Sequence, residues 1–199
     1  MNAGFRAVVV DKGTVLEESQ SVELTQLAAK SPDYVQRLKS SHIRHKGAVA
    51  QVFDVLQRTG WDFEHVRRDE FTGPKGSDLV ISVGGDGTVL HASHQTIGVP
   101  VLGVNSDPDY STGYFCGTTA ASLEDTLKSF MEGDLPEFHL HRLRTEIDGK
   151  TVGPPALNDV LVANRNPAAT CRFSKILNFP SRGFIFGIWD KSRFRGRQA

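Results

Sequence analysis

Apolar residues along this chain fall into two rhythms, short unbroken runs and helical stripes, and the two alternate. Phe5 to Val10 is a compact apolar run and predicts a first strand, followed by a polar stretch to about Ser31. Ser31-Pro32-Asp33 places an N-cap candidate before proline at the first helical position. The helix it predicts carries Val49, Val52, Phe53 and Leu56 at i, i+3, i+4 and i+7, the stripe of a helix lying on a sheet, and Gly60 ends it. Trp61 to Val66 is a weaker second strand. Leu79, Val80, Ile81 and Val83 are nearly continuous and apolar, as in a strand buried on both faces of a parallel sheet. A short helix follows through about Thr96, and Val99 to Asn105 is a fourth strand that ends in polar residues. Ser122-Leu-Glu-Asp125 has the form of a capping box, with Leu123, Leu127, Phe130 and Met131 as the stripe behind it. Strands alternating with helices predict an α/β fold built on an open parallel sheet.

The rhythm changes near Pro136. Phe138, Leu140, Leu143 and Ile147 alternate with polar neighbours between Glu137 and Asp148, and the segments Ala156–Ala163 and Cys171–Ile176 are also strand-like. The expected organisation is therefore an α/β nucleotide-binding domain over 1–135, then the truncated start of a β-rich second domain over 136–176. An atypical tail, 177–199, carries Lys191, Arg193, Arg195 and Arg197.

Composition narrows the partners. The 199 residues suffice for one substantial core, and 23 basic residues balance 23 acidic ones. A balanced charge creates no global field toward nucleic acid or an anionic membrane, so neither is expected as a partner. Cys116 and Cys171 are too few for a disulfide framework and are expected to be packing residues of a reducing compartment. No apolar run approaches the roughly 20 residues of a membrane span. The N-terminus lacks a secretory layout, and a cytoplasmic protein is the expectation.

The chemistry concentrates after the third strand, in Gly84-Gly-Asp-Gly-Thr88. Gly84, Gly85 and Gly87 give the main chain freedom for positive φ and for close approach to a ligand. Val89, Leu90 and Ala92 open a helix whose free N–H groups and positive dipole end face the turn. A carboxylate beside phosphates has a purpose if Asp86 holds Mg²⁺ or accepts a proton from an attacking hydroxyl. The plainer alternative is a tight turn with Asp86 as an N-cap. The order is neither that of a Walker loop nor that of the dinucleotide fingerprint. His91 and His94, at i and i+3, are a weak metal pair without a visible third ligand.

Several segments in order resemble the NAD kinase family, and within it the plant-type NADH kinase branch. They are Gly84-Gly-Asp-Gly-Thr-Val-Leu-His-Ala-Ser-His94, Val99-Pro-Val-Leu-Gly-Val-Asn-Ser-Asp-Pro108, Ser111-Thr-Gly-Tyr-Phe-Cys116, Ala156-Leu-Asn-Asp159, Pro167-Ala-Ala and Arg172-Phe-Ser174. The resemblance implies ATP-dependent phosphorylation of NAD or NADH at the adenosine-ribose 2′-hydroxyl, with Mg²⁺ accompanying ATP. By the same token Asp86 would be the catalytic carboxylate or a metal contact, and Gly84, Gly85, Gly87 and Thr88 would line the phosphates. Asn105, Thr112 and Gly113 would form a second nucleotide-contact segment. Asn158 and Asp159 would hold a ribose diol of the dinucleotide, although alone such a pair is a turn or strand end. Family members commonly form homodimers or higher assemblies, and the branch is cytosolic or peroxisomal; Arg197-Gln-Ala199 is no peroxisomal address.

Departures from the family pattern set the rival expectations. Only Asp109 and Tyr110 separate Ser-Asp-Pro from Ser-Thr-Gly, where the family has a longer segment. The small-residue segment that follows in the family has no counterpart after Ile176. The chain alone is therefore expected to be weakly active or inactive. The alternatives are a non-catalytic nucleotide-binding or regulatory fragment and a lipid kinase using the same glycine turn.

Overall fold

The computed structural model describes residues 4–18, 29–157, 159–161 and 163, in two compact units, Met1–Glu137 and Phe138–Ala199. The first unit is the α/β sheet that the alternating pattern demands. Its elements in order are β1 (Arg6–Asp11), α1 (Val15–Glu18), α2 (Pro32–Arg58), β2 (Asp62–Arg67) and β3 (Leu79–Gly84). They continue with α3 (Asp86–Gln95), β4 (Val101–Asn105), β5 (Cys116–Thr119), a 3₁₀ turn at Ala120–Ser122 and α4 (Leu123–Glu132). All five strands are parallel, in the order β2-β1-β3-β4-β5.

Strand alternation divides the core into two layers. Ala7 and Val9 of β1 and Leu79, Ile81 and Val83 of β3 face one side, under Val49, Val52, Val55 and Leu56 of α2 and Leu123 and Leu127 of α4. Val8, Val10 and Val80 face the other side with Phe71 and Ala92. Apolar residues on both faces explain why β1 and β3 read as unbroken runs rather than alternating ones.

Helix boundaries follow the sequence signals, but the caps do not. Ser31 and Ser122 occupy N-cap positions without a side-chain capping bond, so the expected capping box is absent. Met131 of the expected stripe is exposed. The fourth strand starts at Val101 rather than Val99. Pro100 cannot donate to the ladder, and only its carbonyl joins it, accepting from the Val80 N–H at 3.0 Å. Strand β5, Cys-Gly-Thr-Thr, has no apolar pattern and went unread.

The length of α2 matters for the site. Its 27 residues span about 40 Å, against about 20 Å for the six residues of β1. Between Pro32 and Arg44 only Val35 is buried, so the first half of the helix overhangs the carboxyl edge of the sheet.

In the second unit the expected strand from Glu137 to Asp148 is largely missing. Two-residue strands, β6 (Glu146–Ile147) and β7 (Lys150–Thr151), pair antiparallel around Asp148-Gly149, whose φ values of 50° and 75° suit a tight hairpin turn. Leu143 and Ala156 add an isolated bridge. Phe138, Leu140 and Ile147 are exposed. Alternation specifies a strand only where a partner covers the apolar face, and none does among the described residues. The expected strand Cys171–Ile176 and the tail 177–199 lie outside the described residues.

Candidate functional site

A doubly wound sheet opens a crevice where successive crossovers leave in opposite directions, outside the carboxyl ends of its strands. Here β1 leads through α2 to β2 on one side, while β3 leads through α3 to β4 on the other, so the crevice lies between β1 and β3. The glycine turn sits at its edge. Gly84 ends β3, Gly85 is the N-cap of α3 and Asp86 is its first helical residue. Asp86 is thus not the N-cap of the plainer alternative.

Gly84 and Gly85 act by proximity rather than by φ. None of Gly84, Gly85 and Gly87 has a positive φ, which corrects the conformational half of the expectation. A Cβ on Gly84 would overlap Thr88 Oγ1, and one on Gly85 would stand 3.0 Å from Ser111 Oγ. Thr88 and Val89 both donate back to Gly85 O, at 2.9 and 3.4 Å. The amides of Asp86 and Gly87 are left as the free donors of the first helical turn. Thr88 itself is buried beneath the turn.

The loop after β4 closes over this turn. The Ser106 N–H donates to Gly84 O at 2.9 Å. Asn105 is buried and folds the loop: its Nδ2 donates to Ser111 O at 2.9 Å, and its Oδ1 accepts from the Asp107 N–H at 3.0 Å. Gly113, at φ 60°, packs so tightly against the Asn105 amide that a Cβ there would overlap it. Thr112 is exposed. The loop ends by placing the Phe115 N–H 2.7 Å from Asp86 Oδ1. That bond orients the half-buried carboxylate and leaves Oδ2 without a protein partner among the described residues. Nearby, burial and then the Asp86 charge push the Cys116 thiol up to about 11.

Helix α2 grips the same loop. Arg44 forms a fork on Asp107, Nε to Oδ1 at 2.6 Å and Nη2 to Oδ2 at 3.0 Å, and lies 4.4 Å from the Tyr110 ring centroid. His45 Nδ1 pairs with Ser106 Oγ at 3.0 Å, while its Nε2 stands 3.6 Å from Asp11 Oδ2. Asp11, at the end of β1, also meets His65 Nε2 at 3.0 Å and Arg67 at 3.5 Å. Burial works to raise its carboxyl, but the close approach of His45, the bond from His65 and the charges of His65 and Arg67 hold it below the ordinary value.

The sequence reading thus brought Gly84, Gly85, Asp86, Gly87, Thr88, Asn105 and Gly113 into one place. It missed the Phe115 amide, Arg44 and His45. It also missed Lys12 and Arg37, which line the crevice; the signal available was that Lys12 directly follows the first strand. Asp159 is exposed in the second unit, and Asn158 lies outside the described residues, as does Cys171. The His91 and His94 ring centroids are 6.2 Å apart, and no set of three metal-ligating side chains exists among the described residues.

Residues 8–135 match the family model of the ATP-NAD kinase N-terminal domain, well over half of the chain. The chain belongs to the NAD kinase family. It is 40% identical over 147 residues to a probable NADH kinase of Oryza sativa subsp. japonica, covering 65% of this chain and 45% of that protein. It is 36% identical over 140 residues to an NADH kinase of Arabidopsis thaliana, covering 62% and 44%. Human mitochondrial NAD kinase 2 is 32% identical over 172 residues, covering 77% and 39%. The chain thus spans less than half the length of these curated relatives. No described helix is long and apolar enough to cross a membrane.

Proposed function

We propose that this chain serves ATP-dependent phosphorylation of NAD or NADH at the adenosine-ribose 2′-hydroxyl, giving NADP or NADPH. The observation that carries the reading is the Asp86 carboxylate, held by the Phe115 amide at 2.7 Å beside a close-approach glycine turn. In the reaction the hydroxyl oxygen bonds to the γ-phosphorus, the bond to the bridging oxygen breaks and ADP leaves. Asp86 Oδ2 takes the hydroxyl proton, while the Asp86 and Gly87 amides stabilise charge on the transferring group. Thr88 and Asn105 serve by shaping the turn and its covering loop. Asn158 and Asp159 are assigned to the ribose diol of the dinucleotide.

The donor set also suits Mg²⁺, which takes one or two protein carboxylates and completes its shell with phosphate oxygens and water. For Asp86 Oδ2, holding the ion would be the alternative to taking the proton, and the ion would supply neutralisation of phosphate charge there. The lipid-kinase alternative loses support, because the matched relatives are named for NAD or NADH.

The test is formation of NADP or NADPH with Mg·ATP, read by an enzymatic cycling assay sensitive enough to register the weak turnover expected of the 199-residue chain. Asp86→Asn is expected to lower the rate by about 10²–10⁴ with ATP affinity retained. A variant as fast as the parent would remove Asp86 from the chemistry.

A further inference from the structure

The crevice between β1 and β3 is a cleft of about 430 Å³ that the glycine turn only half explains. It is lined by Gly84 and Gly85, by Lys12, by the loop after β4 and by residues 36–44 of α2. Its charged lining is Lys12, Arg37, Arg44 and Asp107. In a chain whose basic and acidic residues balance, this is a local excess of positive charge. The excess shares the cleft with Gly84 and Gly85, the residues that lead into the N-terminus of α3, so the lining favours an anion.

The three cations are not equivalent. Arg44 is committed, forked onto Asp107 and lying against Tyr110. Lys12 and Arg37 have no ion-pair partner among the described residues. They come from different elements, the loop after β1 and the polar face of α2. Arg37 and Arg44 are seven residues apart, two helical turns along one face, or about 10 Å. The cleft therefore offers point charges at separated places along a path that ends at the glycine turn. A single phosphate would use one end of it; a chain of phosphates would use its length.

We infer that Lys12 and Arg37 grip the polyphosphate chain of the donor nucleoside triphosphate, while Arg44 holds the covering loop instead of the ligand. This rests on the donor reading above and adds to it the direction from which the donor lies across the turn. Lys12 supplies a mobile point charge, and Arg37 supplies a fork for two oxygens of one phosphate.

Calorimetry on the 199-residue chain tests this with Mg·ATP, inorganic tripolyphosphate and, as uncharged control, adenosine. The parent should bind ATP and tripolyphosphate, less tightly as salt rises. Lys12→Ala and Arg37→Ala should each weaken both by roughly fivefold to twentyfold. Arg37→Lys should recover part of the loss, and Lys128→Ala, on α4 and outside the cleft, should change nothing. If either alanine variant melts early, its charge-conserving partner (Lys12→Arg or Arg37→Lys) decides the outcome. Unchanged ATP and tripolyphosphate affinity in both alanine variants overturns the grip and leaves the donor reading standing. Absence of ATP and tripolyphosphate binding by the parent overturns both.

Discussion

Cys116 is a resident gauge of the Asp86 charge. Its thiol is pushed up to about 11 by burial first and then by that carboxylate, so at pH 8 about one part in a thousand is thiolate. With Cys171 replaced by serine, iodoacetamide should alkylate Cys116 about a hundredfold more slowly than an exposed cysteine. Asp86→Asn removes the negative charge, lowers the thiol and should quicken the reaction modestly. Equal rates in the two proteins would separate the carboxylate from the thiol. At this scale the sequence was readable where chemistry sits in one contiguous segment. Gly84 to Thr88 announced the turn because strand, glycines and helix follow one another within a dozen residues. The donor that orients Asp86 was invisible, because it is a main-chain N–H 29 positions away, and an amide has no residue type to recognise. Glycine identity also misled in part: the turn needs Gly84 because of Thr88 Oγ1, a neighbour rather than a dihedral.

The helices show what periodicity can and cannot specify. In α4 the stripe Leu123, Leu127, Phe130 faces the sheet, while Met131 is 37% exposed. Leu127→Ala should therefore cost about 2–5 kcal/mol by urea unfolding, and Met131→Ala should fall within about 0.5 kcal/mol of the parent. Comparable losses from both would mean that the helix packs through a different face. Strands were readable in proportion to burial. β1 and β3 are covered on both sides and declared themselves; β5 is a short edge strand of small and polar residues, held by the ladder of β4 rather than by its own apolar content. The converse error, the strand expected from Glu137, arose because alternation records only a possible face. Helix starts were found from Ser31 and Ser122 although neither hydroxyl caps, so the signal there was the break in pattern more than the bond.

For the whole molecule, the acid limb of stability should be set at the carboxyl end of β1. Glu17 bonds Lys46 at 2.6 Å and accepts from the Thr14 N–H at 2.9 Å, which together lower its carboxyl to about 2. A carboxyl lowered on folding stabilises the fold fully above its unfolded value near 4.5, and that contribution is lost as pH falls toward about 2. Asp11 acts in the same direction. Glu17→Gln should lower the melting temperature at pH 6 and narrow the gap between pH 6 and pH 3. A gap as wide as the parent's would place the acid sensitivity elsewhere. The parallel sheet and its order of elements were legible because each βαβ unit carries its own signals. The assembly of the crevice was not, since α2 reaches it through an overhang whose length is a property of two elements compared. That overhang has a further consequence. A helical segment with one buried apolar residue, Val35, between Pro32 and Arg44 owes much of its order to local propensity and to whatever bridges it to the sheet. Ser40 and Ser41, poor helix formers, stand in the middle of it. A ligand touching both Arg37 and the glycine turn would act as a brace, and part of its binding energy would go into stiffening the beam it rests on.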